Sequence, residues 1–313
     1  MNYVLGRIGQ AAIVLLIAFT AAFVLLQALP GDALLIKFEN PEAGLGPDEI
    51  ARLRETLGAE VPIYTQYLNV LTGFLRGDFG YSIQSGTPVR DVLAAALPQT
   101  LILAATSFAA AIVLAIALTA LSQLPGLPWL RNLLRSAPSL LVSVPVFWLG
   151  IVLIQVFSFR LGWVSVINPG PVEGLILPVI AIALPIAAPI AQVLIRSIDD
   201  VTLQPFITVV RAKGAGEGWI LTRNVARNAI LPALTIAGLL FGELIGGAVI
   251  TETVFGRTGI GRITEQAVTN QDTPVLQAVV IVSAAVFVLV NLVVDLVYPL
   301  LDPRLSSTAK ASS

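Results

Sequence analysis

Six long apolar stretches constrain this chain more than any other feature of its sequence. Each is long enough for an α-helix that crosses a bilayer, which takes about 20 residues. Of the 313 residues, 56% are hydrophobic and only 12% are charged, whereas a soluble domain carries about 25% charged residues. The pattern predicts an all-α polytopic membrane protein with about six transmembrane helices. The apolar stretches cover residues 8–29, 99–121, 137–157, 174–195, 230–250 and 274–300.

The polar segments between these stretches divide the chain. The longest of them is expected to be extracytoplasmic and to lie between the first two transmembrane helices. Start and stop signals predict a short helix over residues 47–57, with Gly58 just past its end. An apolar face predicts a second short helix over residues 62–75. The expected divisions are residues 1–30 for the N-terminus and first transmembrane helix, 31–97 for the extracytoplasmic segment, 98–304 for the transmembrane domain and 305–313 for a disordered tail.

The third and fourth apolar stretches contain prolines that bear on the shape of their helices. Pro138 and Pro145 in the third stretch predict a kink, because proline lacks a backbone N–H and crowds the preceding turn of a helix. The fourth stretch contains Pro178, Pro185 and Pro189, which act either as packing kinks or as hinges.

Residues 208–232 form a polar, basic segment between the fourth and fifth apolar stretches. Its basic residues predict a cytoplasmic loop. A short helix at its start would carry an apolar edge with a basic tip, and Gly214 is expected to end that helix. Such a helix is suited to a groove on a partner; the alternative is a solvated loop that only follows the charge bias. The residues at i, i+3, i+4 and i+7 are Phe206, Val209, Val210 and Lys213.

Charges in the short loops set the expected orientation. With the N-terminus inside the cell, the basic residues collect on the cytoplasmic side, as the positive-inside bias requires. Both termini and the basic loop are then cytoplasmic. The inner basic residues are Arg7, Arg131, Arg135, Arg196, Arg211, Lys213, Arg223, Arg227, Arg304 and Lys310. The outer ones are Arg160, Arg257 and Arg262.

The composition excludes several kinds of chemistry. The chain contains no Cys and no His, so thiol chemistry and the commonest transition-metal ligands are absent, and neither a catalytic residue nor a metal site is expected. It contains no Gly-Lys dipeptide, which excludes a phosphate-binding loop of the GxxxxGK[ST] type. Any ATP that drives this protein is therefore bound by another chain. A net charge of -1 gives no indication of nucleic-acid binding.

The fifth apolar stretch contains both a row of glycines and an acid. Gly238, Gly242 and Gly246 recur every four residues, a spacing that lets a neighbouring helix approach closely. Glu243 lies within the same row, and an acid at mid-membrane is costly enough to require a passage, a partner or a polar pocket beside it. We therefore predict that this helix lines a translocation path.

Several short motifs follow one another in an informative order. Two segments resemble the EAA loop of ABC-importer permeases of the dipeptide/oligopeptide/nickel family, namely V-V-R-A-K-G at 209–214 and N-V-A-R-N-A-I-L-P at 224–232. Within that family, the chain most resembles the first of the two permease subunits. Val209 and Val210 replace the family's usual small residues, and Asn224 stands where it often has His. The other matching motifs are L-P-G-D at 29–32, G-D-F-G at 77–80, E-T-V-F at 252–255, G-I-G at 259–261, N-L-V-V-D at 291–295 and D-P-R at 302–304.

The resemblance implies a non-catalytic permease of the bacterial cytoplasmic membrane. It would work with a second homologous permease, two ATPase subunits or domains that hold ATP and Mg, and an extracytoplasmic solute-binding protein; no cofactor is implied in this chain. In that family the loop helix lies in a groove of the ATPase. The coupling residues would be Phe206, Val209, Val210, Arg211, Ala212, Lys213, Gly214, Ala215 and Gly216. The residues of the path would be Gly238, Gly242, Glu243 and Gly246.

Cargo and the role of Glu243 remain open at this stage. Peptides are the commonest cargo that the resemblance implies, and nickel is less favoured without His or Met near a path. Glu243 either lines the path or pairs with a polar group of the partner permease. A different class of function, a secondary transporter or channel, would use Glu243 and Asp295 as an ion relay. An intramembrane aspartyl enzyme would need two facing Asp residues, and only Asp295 lies in a span.

Overall fold

A computed structural model of the chain describes residues 2–27, 62–124 and 128–301, and these residues are mainly α-helical. The all-α class predicted from the apolar stretches is confirmed. The predicted helix at 47–57, the L-P-G-D and D-P-R motifs and the tail lie outside the described residues. The helices of eight or more residues are α1 (Asn2–Gln27), α2 (Ile63–Leu75), α3 (Val89–Ser122), α4 (Pro128–Val142), α5 (Val146–Leu153), α6 (Glu173–Thr202), α7 (Pro205–Ala212), α8 (Ala226–Val254), α9 (Ile260–Thr269) and α10 (Thr273–Leu301).

The number of membrane spans agrees with the sequence. Among the described residues, five helical segments are long and apolar enough to cross a bilayer, and a sixth span results if the bent pair α4 and α5 counts as one. Several helices extend beyond the predicted spans, as α3 does by beginning at Val89 instead of residue 99. Hydropathy marks the part of a helix that suits lipid, and the helix itself continues into polar sequence such as Arg90 and Asp91.

The third apolar stretch differs most from its prediction. A single kinked helix over 137–157 was expected, but α4 ends at Val142 and α5 begins at Val146, with an angle of 106° between the two segments. Pro145 is the N-cap of α5 in an extended conformation. Pro138 is buried inside α4 and does not end it. The proline at the predicted position therefore produces a break and not a gentle kink.

The chain divides into two compact units, and the first comprises Met1–Gln99 and Thr258–Val288. Its core contains apolar residues of α3, α9 and α10, among them Val89, Ile260 and Val275. Helix α2 packs on α1 through Tyr67, whose ring lies edge-on to Phe19.

A buried carboxylate joins two loops of this first unit. Asp272 is 3% exposed and accepts hydrogen bonds from the Ser82 hydroxyl and from the backbone N–H groups of Ile83 and Gln84, the last two at 3.2 and 3.3 Å. Local patterns in the sequence do not indicate this contact, because 190 residues separate Ser82 from Asp272.

The second unit comprises Thr100–Arg257 and Leu289–Ser313, with α6 at its centre. Helix α6 runs unbroken through its three prolines and packs against α8 and α4. Small side chains make this packing close, because alanines of α3, α6 and α8 face one another. The alanines of this cluster are Ala111, Ala115, Ala183, Ala187, Ala191, Ala233 and Ala237.

Polar contacts also hold the second unit. Glu252 is fully buried and accepts a hydrogen bond of 2.7 Å from the Thr100 hydroxyl. Arg257, just after α8, donates from Nη1 to the Gly174 carbonyl near the start of α6 at 2.7 Å. Because the end of α8 meets the start of α6, these two helices run antiparallel, as consecutive membrane spans do.

Candidate functional site: the loop between α6 and α8

Helix α7 forms where the basic loop was predicted to start. Pro205 occupies its first turn, where the missing N–H of proline is not needed. Ala212 is its last residue, and Gly214 follows with a φ of +86°, a left-handed conformation that glycine adopts without strain. The Gly214 N–H donates to the Arg211 carbonyl at 3.0 Å and closes the turn. The helix thus ends as its glycine predicts.

One side of α7 is anchored to the rest of its own unit. Ile207 is fully buried against the last turns of α6 and the beginning of α8. Val210 and Ala215 are half-buried beside this group. We call it the loop core, and it consists of Ile198, Val201, Ile207, Ile220, Val225 and Ala229. The loop is therefore a packed part of the unit and not a solvated connection.

The opposite side of α7 faces away from the chain. Phe206 is 39% exposed and Val209 is 54% exposed, and Lys213 at the tip is exposed as well. The residues of the predicted apolar edge and its basic tip therefore lie in two environments. Phe206, Val209 and Lys213 are exposed and could contact a partner, while Val210 packs against the loop core. Ile207 was missed in the sequence, although its spacing of three from Val210 is itself a helical signal.

A bidentate ion pair crosses the surface of the loop after α7. Arg211 donates from Nε to Glu217 Oε1 at 2.7 Å and from Nη2 to Oε2 at 3.2 Å. The hydrogen bond to Glu217 and the attraction between the two charges raise the pKa of Arg211. Because both side chains are exposed, the pair shapes the loop more than it stabilises the fold. Glu217 was not among the residues predicted from the sequence.

The loop then enters the membrane span through an unusual turn. A helical turn at Glu217–Trp219 leads into a π-helix at Ile220–Val225, and α8 follows at Ala226. Trp219 is 53% exposed, whereas Ile220 and Val225 belong to the loop core. π-Helical turns interrupt the regular hydrogen-bond ladder, and they are frequent at functional sites.

The predicted path residues lie along α8. Gly238 and Gly242 are buried, while Gly246 is exposed, and a Cβ built on Gly246 meets nothing within 4 Å. The backbone of Glu243 is helical, but its side chain and that of Asp295 lie outside the described part of the structure. The role of these residues in a path stays a prediction.

Comparison with known proteins identifies the family. Residues 115–307 match the "Binding-protein-dependent transport system inner membrane component" family, and residues 1–104 match the "Binding-prot-dependent transport system membrane comp, N-term" family. The chain belongs to the binding-protein-dependent permeases. Like other members, this permease is a multi-pass inner-membrane subunit of an ABC importer and is not an enzyme, since ATP hydrolysis takes place in another subunit.

Curated relatives match this permease over nearly its whole length. The "Glutathione transport system permease protein GsiC" of Escherichia coli (strain K12) is 33% identical over 305 residues, covering 97% of this chain and 99% of the relative. The protein of the same name from Salmonella typhimurium is 34% identical over the same coverage. These relatives confirm the likeness to permeases of the dipeptide/oligopeptide/nickel type that the motifs indicated.

Solved structures share the fold of this permease. A chain of the inward-facing MetNI methionine ABC transporter aligns with a TM-score of 0.57 and 18% identity, covering 67% of this chain and 96% of that one. A chain of an amino acid ABC transporter with histidines aligns with a TM-score of 0.52 and 17% identity, over 68% and 94%. At these identities the likeness concerns the fold alone.

Proposed function

We propose that this permease forms half of the translocation path for short peptides and that α7 is its contact with the ATPase. The observation that carries the proposal is the two-sided nature of α7. Ile207 anchors it in the loop core, while Phe206, Val209 and Lys213 remain exposed on the other side. A rigid helix with an apolar edge and a basic tip is suited to a groove on a partner protein.

The anchoring matters as much as the exposure. A helix that did not pack against the rest of the permease would move alone when the ATPase moved, and the spans would stay in place. Because Ile207 packs against Ile198 and Val201 of α6 and against Ile220 at the other end of the loop, a displacement of α7 moves both adjoining spans. This arrangement supports a role in coupling ATP hydrolysis to transport. Two ATPases, a second permease and a solute-binding protein complete the proposed importer.

Short peptides are proposed as cargo because of the relatives. The proteins that match over 97% of the chain carry the name of a glutathione transport system, and glutathione is a tripeptide. Helix α8, with Gly238, Gly242, Glu243 and Gly246, is proposed to line the path. Selectivity would then reside mainly in the solute-binding protein, which delivers the cargo.

Cysteine crosslinking tests the docking of α7, and the chain has no native Cys to interfere. In membrane vesicles that contain the whole importer, a Cys at the exposed Val209 should crosslink to a Cys in the ATPase groove. The matched control is a Cys at the buried Ile207, which should not react. Equal crosslinking from both positions, or from neither, would contradict docking through this edge.

Uptake measurements test the cargo. Cells that lack other peptide importers and express the complete importer should take up labelled di- and tripeptides, and an unlabelled tripeptide should compete. Uptake should stop when the ATPase is inactivated. Transport of Ni²⁺ without competition by peptides would contradict the proposal of peptide cargo and leave the ATPase contact unaffected.

The proposed orientation, with both termini in the cytoplasm, is tested by labelling. Ser85 is exposed in a loop expected outside, and Ser312 lies in the tail expected inside. In intact cells, an impermeant thiol reagent should label a Cys at position 85 and not one at position 312. The reverse pattern would place α7 outside and overturn its contact with the ATPase.

A further inference from the structure

The contact between α4 and α6 contains an ion pair whose role the proposed function does not explain. Arg135 of α4 donates from Nη1 to Asp199 Oδ2 at 2.9 Å and from Nη2 to Oδ1 at 2.8 Å. This bidentate geometry fixes the direction between the two side chains as well as their distance. Arg135 is half-buried, with 26% of its side chain exposed, and Asp199 is 42% exposed. The ion pair adds this fixed direction to the packing of α4 against α6.

Asp199 lies at the end of α6 that adjoins the loop core. Its neighbours Ile198 and Val201 are both buried in that core, next to Ile207 of α7. Its carbonyl accepts the N–H of Leu203 at 3.3 Å, where α6 ends and the connection to α7 begins. The last turn of α6 therefore contacts α7 through its apolar side chains and α4 through Asp199.

The other end of α4 leads to the break between α4 and α5. Helix α4 ends at Val142, and after the bend of 106° α5 packs against the end of α8. At this contact a Cβ built on Gly150 would lie 3.2 Å from side-chain atoms of both Val254 and Phe255. Since the approach is that close, a movement of α4 that carried α5 with it would displace the end of α8.

We propose that Arg135 and Asp199 are a positioning pair that makes α4 follow the coupling helix α7. When the ATPase moves α7, the last turn of α6 moves with it through the loop core, and the ion pair carries α4 along. The movement then reaches the break at Pro145 and the helix α5. This inference rests on the proposed contact between α7 and the ATPase.

The exposure of the pair separates its positioning role from a structural one. A half-exposed ion pair contributes little to stability, because water and salt replace much of the interaction when it is lost. Its geometry, in contrast, is lost completely when either side chain is removed. Loss of the pair should therefore leave the permease folded and assembled while α4 ceases to follow α7.

The experiment measures ATP hydrolysed per peptide imported by the complete importer in proteoliposomes. Arg135→Ala and Asp199→Ala should each raise this ratio about fivefold, the lower end of typical coupling effects. Arg131→Ala and Asp200→Ala are matched controls, because these exposed neighbours lie on the same two helices. Both controls should keep the wild-type ratio, and all four variants should assemble in normal amounts.

Restoring the pair in reverse provides the decisive comparison. The double variant Arg135→Asp with Asp199→Arg should return the ratio toward that of the wild type, while Arg135→Lys, which cannot form the bidentate contact, should give an intermediate value. An unchanged ratio of ATP hydrolysed to peptide imported in the single variants would overturn the inference. So would a double variant, Arg135→Ala with Asp199→Ala, whose effect on this ratio equals the sum of the two single effects. A lower amount of assembled complex with a normal ratio would also overturn it, since the role would then be structural.

The Val209 crosslink distinguishes failure of this inference from failure of the proposed function. If the crosslink forms and the ratio does not change in Arg135→Ala, only the positioning pair is refuted. If the crosslink does not form, the ATPase does not contact α7, and both the proposed function of α7 and the inference built on it are refuted.

Discussion

Two carboxylates, one in each unit, are held in opposite ways. Asp272 in the first unit is almost completely buried, and its partners are the hydroxyl of Ser82 and two backbone N–H groups. Glu217 in the second unit has 73% of its side chain exposed and pairs with Arg211 on the same surface. The first carboxylate is surrounded by protein, and the second by solvent.

The difference lies in what replaces the carboxylate when it is removed. Buried donors that lose their acceptor stay unpaired, which costs free energy, whereas exposed donors turn to water. Asp272 should therefore matter for the stability of its unit. Glu217 should matter only for the shape of the loop that contains α7, so its effect should appear in transport and not in unfolding.

The largest effect is expected for Asp272→Ala. The buried Ser82 hydroxyl loses its acceptor, and so do the N–H groups of Ile83 and Gln84, whose bonds to Asp272 are partly buried. We expect the free energy of unfolding to fall by about 3 kcal/mol. Thermal unfolding of the purified permease in detergent measures this change. Asp78→Ala is the matched control, because Asp78 is exposed and accepts a bond from Gly80 in its own turn. Equal destabilisation by both variants would contradict the role of burial.

A buried carboxylate in the second unit tests whether burial, and not the unit, decides the effect. Thr100→Val removes the hydroxyl that donates to Glu252 and should lower the free energy of unfolding by about 2 kcal/mol. Thr106→Val on the same helix is the control, since the exposed Thr106 bonds only to carbonyls of its own helix. If the control is equally unstable, the loss arises from the helix and not from the buried carboxylate.

Substitution of Gly214 should change the stability of the permease less than the two substitutions above. Its larger effect should be on the coupling of ATP hydrolysis to peptide uptake. Its φ of +86° should make Gly214→Ala less stable by about 1 kcal/mol, because other residues adopt this conformation with strain. A Cβ built on Gly214 meets nothing within 4 Å, so a larger side chain at this position would not clash with the permease itself. Gly214→Trp should therefore uncouple ATP hydrolysis from peptide uptake beyond the effect of Gly214→Ala, through a clash with the ATPase. Normal coupling by Gly214→Trp would count against that contact.

The smallest effect is expected for Glu217→Ala. Its unfolding midpoint should equal that of the wild type, because water replaces the exposed ion pair. The ATP hydrolysed per peptide should rise, though less than in Gly214→Trp, since Arg211 no longer holds the loop after α7. Arg211→Ala should match it, and high salt should weaken the wild-type pair and reduce the difference. A marked drop in the unfolding midpoint would show that the comparison with Asp272 is wrong.

Local signals in the sequence predicted much of the fold. The apolar stretches indicated the spans, and Gly214 predicted the end of α7, because each depends on neighbouring residues only. Pro145 marked the position of a break in the third stretch. The angle of 106° could not be predicted, because the packing of α4 and α5 against other helices sets it.

Contacts between distant residues could not be predicted in this way. Arg135 and Asp199 are 64 positions apart, and no periodicity in the sequence connects them. The same holds for Ser82 and Asp272. Within α7, spacing placed Val210 on the same apolar edge as Val209, whereas Val210 is half-buried beside the loop core. Spacing alone does not show which side of a helix is covered by its own chain.

The corner between α4 and α5 has a consequence for insertion into lipid. A bend in the bilayer usually exposes backbone donors that no water can reach. Here the Ser143 and Val144 N–H groups bond to the carbonyls of Leu140 and Leu141 at 3.2 and 3.3 Å, and Pro145 has no N–H to expose. The Pro145 carbonyl in turn accepts the N–H of Leu149 at 3.0 Å. The chain can therefore turn sharply within a hydrocarbon environment while these polar backbone groups keep hydrogen-bond partners within the protein.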